Sequence, residues 1–146
     1  MLCSEIMRRD VICCQPDESC QAAAAKMRDR DIGFLPVCDR SSGRLIGTLT
    51  DRDLAIRLVA LGKDCDTAVE VVMSRDRITC RGSDDVRVAE KAMSDNQKAR
   101  IVVIDDRGVP VGVISFADLA RRTEPVATAE TLKQVKAPQP PPRAVV

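Results

Sequence analysis

Two short segments of this chain pair a hydroxyl with a carboxylate three residues on: Thr50-Asp51-Arg52-Asp53 and Ser115-Phe116-Ala117-Asp118. Each follows an apolar run with a glycine, Gly47-Thr48-Leu49 in one and Gly112-Val113-Ile114 in the other. A strand ending at the hydroxyl and a helix starting after it leave free backbone N–H groups and the positive end of a helix dipole beside the Thr or Ser. That arrangement favours anions such as phosphate. The Asp projects from the first helical turn, where a carboxylate can accept two hydrogen bonds from vicinal ribose hydroxyls. The chemistry on offer is nucleotide binding. The same residues also spell a variant capping box, in which the acid stabilises its own helix start. Both readings stay open on the residues alone.

The two segments belong to a longer duplication. Ile6-Met7, Ile12-Cys13-Cys14, Ala23, Met27, Val37 and Asp39 return as Val72-Met73, Ile78-Thr79-Cys80, Ala89, Met93, Val103 and Asp105, all 66 residues later. The offset falls to 65 after the turn Arg40-Ser41-Ser42-Gly43, one residue longer than Asp106-Arg107-Gly108. A turn is where an insertion is tolerated. Such a duplication places a binding cleft between two like halves. Gly47 and Gly112 lack side chains, so a neighbouring backbone or a ligand can approach closely there.

Composition bounds the rest. With 146 residues, the chain is one compact domain or two small intertwined ones. A half of about 65 residues is marginal alone, so the halves must share a core. Phe34 and Phe116 are the only aromatics, and net charge is +1 with interspersed signs. No nucleic-acid partner is expected, because neither a basic surface nor a stacking platform is present. The absence of histidine removes His-based triads and most ordinary zinc sites. No metal site and no catalytic residue is therefore expected, and the chain is not read as an enzyme. No apolar run is long enough to span a bilayer and the N-terminus lacks a signal core, so no membrane association and a cytoplasmic location are expected. The seven cysteines, Cys3, Cys13, Cys14, Cys20, Cys38, Cys65 and Cys80, contain no CxxC. They read as reduced thiols, several of them small buried hydrophobes.

The predicted elements position the two motifs. Val11–Cys14 reads as a strand, then a Ser19-capped helix to about Asp29 presents Cys20, Ala23, Ala24 and Met27 on one face. Strands Phe34–Cys38 and Leu45–Leu49 follow, then a helix from Asp51 to Leu61 that stops at Gly62. The second half repeats this with a strand at Ile78–Cys80, an Asp85-capped helix to about Asn96, a hairpin of Ile101–Ile104 and Val109–Ile114, and a helix Phe116–Arg122. The fold class is α/β (α+β by some schemes), a β-α-β-β-α unit occurring twice with helices over the sheets. Thr123–Lys136 reads as a polar helix. Ala137–Val146 reads as a Pro-rich, extended and disordered tail.

On Ile32-Gly33-Phe34-Leu35-Pro36-Val37, Val72-Met73 and the two Gly-to-Asp segments, the chain resembles a tandem pair of CBS domains, a Bateman module of the small stand-alone bacterial type. The resemblance covers about residues 4–122. It implies a first repeat at 1–66, a second at 67–122, and a C-terminal segment at 123–146. It also implies a regulatory module that senses adenosyl compounds (AMP, ADP, ATP or S-adenosylmethionine), with no obligatory cofactor, and that signals to a partner protein the sequence does not name. Carried over, one cleft would use Thr50 and Asp53 with Ser74, Thr79, Lys98, Ala99 and Arg100. The other would use Ser115 and Asp118 with Cys13, Ile32, Gly33, Phe34 and Pro36.

The two clefts are not equivalent in sequence. Arg100 aligns with Phe34, so the second cleft lacks a phosphate partner unless Arg8 supplies one. The Asp53 cleft is expected to prefer a phosphorylated ligand, and the Asp118 cleft a less charged adenosyl group or none. The helix Leu54–Leu61 is apolar on more than one face, so Ile56 or Val59 needs a partner, and a homodimer is expected. Two rival functions remain: a redox sensor built on Cys13, Cys14 and Cys20, and a dimeric scaffold with empty clefts.

Overall fold

A computed structural model describes residues 1–122 and 125–135. Its elements are α1 (Cys3–Ile6), α2 (Cys20–Arg30), β1 (Phe34–Cys38), β2 (Leu45–Thr50), α3 (Asp51–Leu54), a π-helical turn (Ala55–Val59), α4 (Val69–Val72), β3 (Thr79–Arg81), α5 (Val86–Asn96), β4 (Arg100–Ile104), β5 (Pro110–Ser115), α6 (Phe116–Ala120) and α7 (Pro125–Val135). The mixed α and β class is as expected. Helix α7 lies against α5 and α6. The expected tail at 137–146 falls outside the described residues.

Local chemistry explains where the long helices begin and end. Ser19 accepts a hydrogen bond from the Ala22 amide, and Asp85 one from the Arg87 amide, as N-caps do. Both helices close on a left-handed residue that is not glycine, Asp31 at φ 52° and Gln97 at φ 53°. These equivalent positions gave no stop signal in the sequence. Buried Cys20, Ala23 and Met27 on α2 match Val86, Ala89 and Met93 on α5.

Two expected elements differ. Val11–Cys14 is not a strand: only Cys14 bridges, to Val37, whereas β3 pairs with β4 over three residues. The cause is Pro36. Its equivalent Val102 donates its N–H to the Ile78 carbonyl at 3.4 Å, and proline has no such donor. The first half therefore carries a two-stranded sheet and the second a three-stranded one. The helix expected to run from Asp51 to Leu61 is α only to Leu54. It then widens into the π turn, with the Ala60 amide donating to the Ala55 carbonyl at 2.9 Å, before Gly62 ends it at φ 65°.

The halves are clasped by exchange of short segments. Helix α1 buries Cys3 and Ile6 with Cys80, Val86, Ala89, Met93 and Ile114 of the second half. Helix α4 buries Val69, Val72 and Met73 with Cys14, Leu35, Val37 and Leu49 of the first. After each helix the chain bridges a strand edge: Ser74 to Thr48 of β2, and Arg8 to Val113 of β5. The motif glycines make room for this crossing. A Cβ on Gly47 would lie 2.5 Å from the Ser74 carbonyl oxygen, and one on Gly112 would lie 2.4 Å from the Met7 sulfur.

Gly47→Ala and Gly112→Ala should each destabilise the protein by about 1–3 kcal/mol, the usual cost of overpacking. Gly47→Ala should be the worse of the two, because its obstacle is backbone rather than a flexible side chain. Urea unfolding of both variants checks this, and equal stability to the parent chain would show that the crossing can spread.

Candidate functional site

Both Thr/Ser-x-x-Asp segments fold as strand-to-helix junctions closed by capping boxes. At the first, the Thr50 Oγ1 accepts from the Asp53 amide at 3.1 Å, and Asp53 Oδ2 accepts from the Thr50 amide at 2.9 Å. At the second, the Ser115 Oγ accepts from the Asp118 amide at 3.3 Å. Asp118 Oδ2 accepts from the Ser115 amide at 2.9 Å and from its hydroxyl at 2.7 Å. One carboxylate oxygen of each pair is thus engaged in holding a helix start.

The other oxygens differ. Asp53 Oδ1 has Arg57 Nη1 at 3.9 Å, and that guanidinium donates to the Val72 and Met73 carbonyls at 3.2 Å each. Asp118 Oδ1 accepts from Arg8 Nε at 3.1 Å, with Arg121 Nη1 at 3.6 Å. Burial pushes the Asp118 carboxyl up. The hydrogen bonds from Ser115 and from Arg8 outweigh that and hold it below the ordinary carboxylate value.

Strand β2 links the first motif to a cleft. Its burial alternates, so Leu45, Gly47 and Leu49 face the core while Ile46, Thr48 and Thr50 share the half-buried face. A cleft of about 540 Å³ opens at the Ile46 end, lined by Asp39, Arg44, Arg77, Thr79 and Ile104 among others. From Ile46 to Thr50 the strand covers about 13 Å, at roughly 3.3 Å per residue. Ser74 lies along this path, bridged to Thr48 by two 2.9 Å backbone hydrogen bonds.

The remaining candidates fall around the two motifs. The Gly33 carbonyl accepts from the Asp51 amide at 3.0 Å and the Ala99 carbonyl from the Phe116 amide at 2.9 Å, so each tethers a helix start. Register places Phe34 opposite Thr50 and Arg100 opposite Ser115, each on its own hairpin. The Arg100 guanidinium then extends over the Phe34 ring, 5.9 Å from its centroid. Arg100, assigned above to the Thr50 cleft, therefore stands between both motifs. Ile32 packs on the first core. Pro36 is buried. Lys98 is exposed beyond the end of α5. Cys13 is half-buried, and its backbone carbonyl accepts from Lys26 Nζ at 3.1 Å.

The three cysteines of the redox reading differ in exposure. Cys14 and Cys20 are fully buried in the first core, and burial pushes the Cys14 thiol up to about 12. Cys13 instead hydrogen-bonds Cys38, which lowers the Cys13 thiol and raises that of Cys38. Among the described residues no three His, Cys, Asp or Glu side chains come together to hold a metal ion. No described helix is long and apolar enough to cross a membrane.

Sequence reasoning missed Ile46, Arg44, Arg77 and Arg57. The alternation along β2 could have pointed to Ile46, and the i,i+4 spacing from Asp53 to Arg57. Arg8, the alternative phosphate partner offered for the second cleft, is seated on the Asp118 carboxylate.

The strand–helix junction is thus used twice, and the strand leading to the first copy borders a cleft at its far end. The CBS domain sequence model matches residues 3–60 and 68–124. The chain belongs to the CBS domain family. Members of this family are in general regulatory rather than catalytic. Hypoxic response protein 1 of Mycobacterium tuberculosis is 35% identical over 135 residues, covering 92% of this chain and 93% of that protein. The crystal structure of Hypoxic Response Protein I, with two coordinated zinc ions, superposes with a TM-score of 0.74 at 33% identity over 85% of this chain and 100% of its own. The CBS domain pair of protein MJ0100, in complex with 5-methylthioadenosine and S-adenosyl-L-methionine, gives a TM-score of 0.75 at 27% identity, covering 83% of this chain and 98% of that one.

The Asp118 shift has a pH consequence. A carboxyl held low in the folded state contributes stability that is present above its unfolded value, roughly 3.9, and is lost as pH falls through the folded value. Asp118→Asn should therefore flatten the acid limb of the stability profile below about pH 4 relative to the parent chain. Thermal melts across that range test it. Parallel profiles for the two proteins would show that this carboxylate is not depressed.

Proposed function

We propose that this chain is a sensor module that takes one adenosyl nucleotide along the half-buried face of β2. Asp53 would hold the ribose, and Thr50 with the first amides of α3 and Arg100 would face the phosphate. The base would lie towards Ile46 and Thr79. The observation that carries this reading is that strand β2 joins the cleft at Ile46 and Thr79 to the Thr50–Asp53 junction, where Asp53 Oδ1 meets only a long contact with Arg57 among the described residues. The adenosyl ligands of the MJ0100 domain pair support the ligand class. Binding would shift the two halves relative to a partner protein, by no more than the ligand's preference for one arrangement over the other.

The module acts as a homodimer in this reading. On the segment that leaves α3, Ile56, Val59 and Leu61 are 43%, 72% and 66% exposed. Apolar side chains of this size in one stretch of surface mark an interaction site. A cytoplasmic setting with reduced thiols fits the seven unbridged cysteines.

Calorimetric titration with AMP, ADP, ATP and S-adenosylmethionine tests the ligand. One of them should bind, and Asp53→Asn, which keeps a capping oxygen, should weaken it about tenfold or more by removing a charged hydrogen-bond acceptor. At about 100 times its dissociation constant that ligand should raise stability by roughly 2.7 kcal/mol. No binding by any of the four would leave the motifs as helix caps alone. Separately, Val59→Glu should convert a dimer to a monomer in light scattering at micromolar concentration. A parent chain that is already monomeric would remove the dimer from the proposal.

A further inference from the structure

The duplicated halves provide an internal comparison at a position where their clefts diverge. Ser74 and Arg8 are equivalent residues, 66 apart. Each makes two antiparallel backbone hydrogen bonds to the strand leading to its motif, Ser74 with Thr48 at 2.9 and 2.9 Å, Arg8 with Val113 at 2.9 and 3.0 Å. The backbone is thus the same in both, and only the side chain differs. The Ser74 hydroxyl turns to its own loop and accepts from the Asp76 amide at 3.3 Å. Arg8 reaches the motif carboxylate and donates from Nε to Asp118 Oδ1 at 3.1 Å.

The consequence for the two carboxylates is unequal. Asp118 has Oδ2 committed to Ser115 and Oδ1 committed to Arg8, with Arg121 behind it. Its side chain is 7% exposed, whereas that of Arg8 is 60% exposed, so the guanidinium covers the carboxylate from the solvent side. Asp53 has Oδ2 committed to Thr50, but its Oδ1 meets only Arg57 at 3.9 Å among the described residues.

We infer that Arg8 is an internal plug: its guanidinium occupies the acceptor a ribose diol would use at Asp118, and so sets the capacity of the chain at one adenosyl nucleotide, bound at Asp53. The inference rests on the nucleotide reading given above. A diol approaching Asp118 must first displace a charge-assisted hydrogen bond, which weakens binding there about tenfold or more relative to an unplugged site. The plug sits on the segment that follows α1, so the N-terminal residues of the chain govern the second cleft. The opposite role, Arg8 as a phosphate partner, would require the guanidinium to face away from Asp118 and towards the ligand.

Titration calorimetry with AMP, and in parallel with S-adenosylmethionine, on the parent chain, Arg8→Ser, Asp53→Asn and the double variant tests the plug. The parent should bind one equivalent per chain and lose it in Asp53→Asn. Arg8→Ser should bind two, and the double variant should keep the second alone. Binding by Arg8→Ser but not by the parent overturns the capacity of one at Asp53. A parent that binds two, an Arg8→Ser chain that stays at one, or one that loses affinity overturns the plug and leaves the nucleotide reading intact. Silence of both ligands on the parent and on Arg8→Ser overturns both. Should Arg8→Ser fail to fold by circular dichroism, Arg8→Met keeps the aliphatic stem and serves in its place.

Discussion

The close crossing of chain over strand at Gly47 and Gly112 is the contact on which the rest of the molecule depends. At each, a short helix has just been delivered into the core of one half by a segment belonging to the other, and the chain must then pass against a strand edge. Any side chain at these two positions would meet Ser74 or Met7 well inside van der Waals contact distance. With glycine there, the edges of β2 and β5 are covered, the two cores close, and the capping junctions that follow are held at fixed positions. The glycines serve the protein's own packing before they serve any ligand.

The same economy appears in the carboxylates. Asp53 and Asp118 each use one oxygen to fix a helix start, which leaves only the other for any ligand. On the residues alone, a helix cap and a ribose site are rival explanations of one motif. They are compatible, because a carboxylate has two oxygens and the cap engages one. What separates the two sites is therefore not the motif itself but what stands opposite its second oxygen.

Periodicity and internal repetition made most of the fold legible. Ser19 and Asp85 as caps, the hairpins, and the equivalence of Met27 with Met93 all follow from local pattern, which a one-sequence reading can see. The elements that were misplaced depended on partners distant in the chain. Val11–Cys14 has strand composition, but its pairing fails at Pro36, more than twenty residues on. The left-handed caps at Asp31 and Gln97 carry no glycine signal. At the site, Thr50, Asp53, Ser115 and Asp118 could be named from spacing. The position of Arg100 between the motifs and the seat of Arg8 on Asp118 could not, since both are set by how the halves meet. The exchange of α1 and α4 was equally invisible, because helices of four residues do not declare which core they join.

Pro36 leaves one further mark on the molecule. The segment around Cys14 is held to β1 by a single bridge, while its counterpart β3 is held along three residues. Two halves of nearly the same design thus differ in how readily one edge comes loose. Local opening is cheapest where backbone hydrogen bonds are fewest. By that argument the edge at Cys14 opens at lower cost than β3, and the buried Cys14 thiol gains a route to solvent short of whole-chain unfolding.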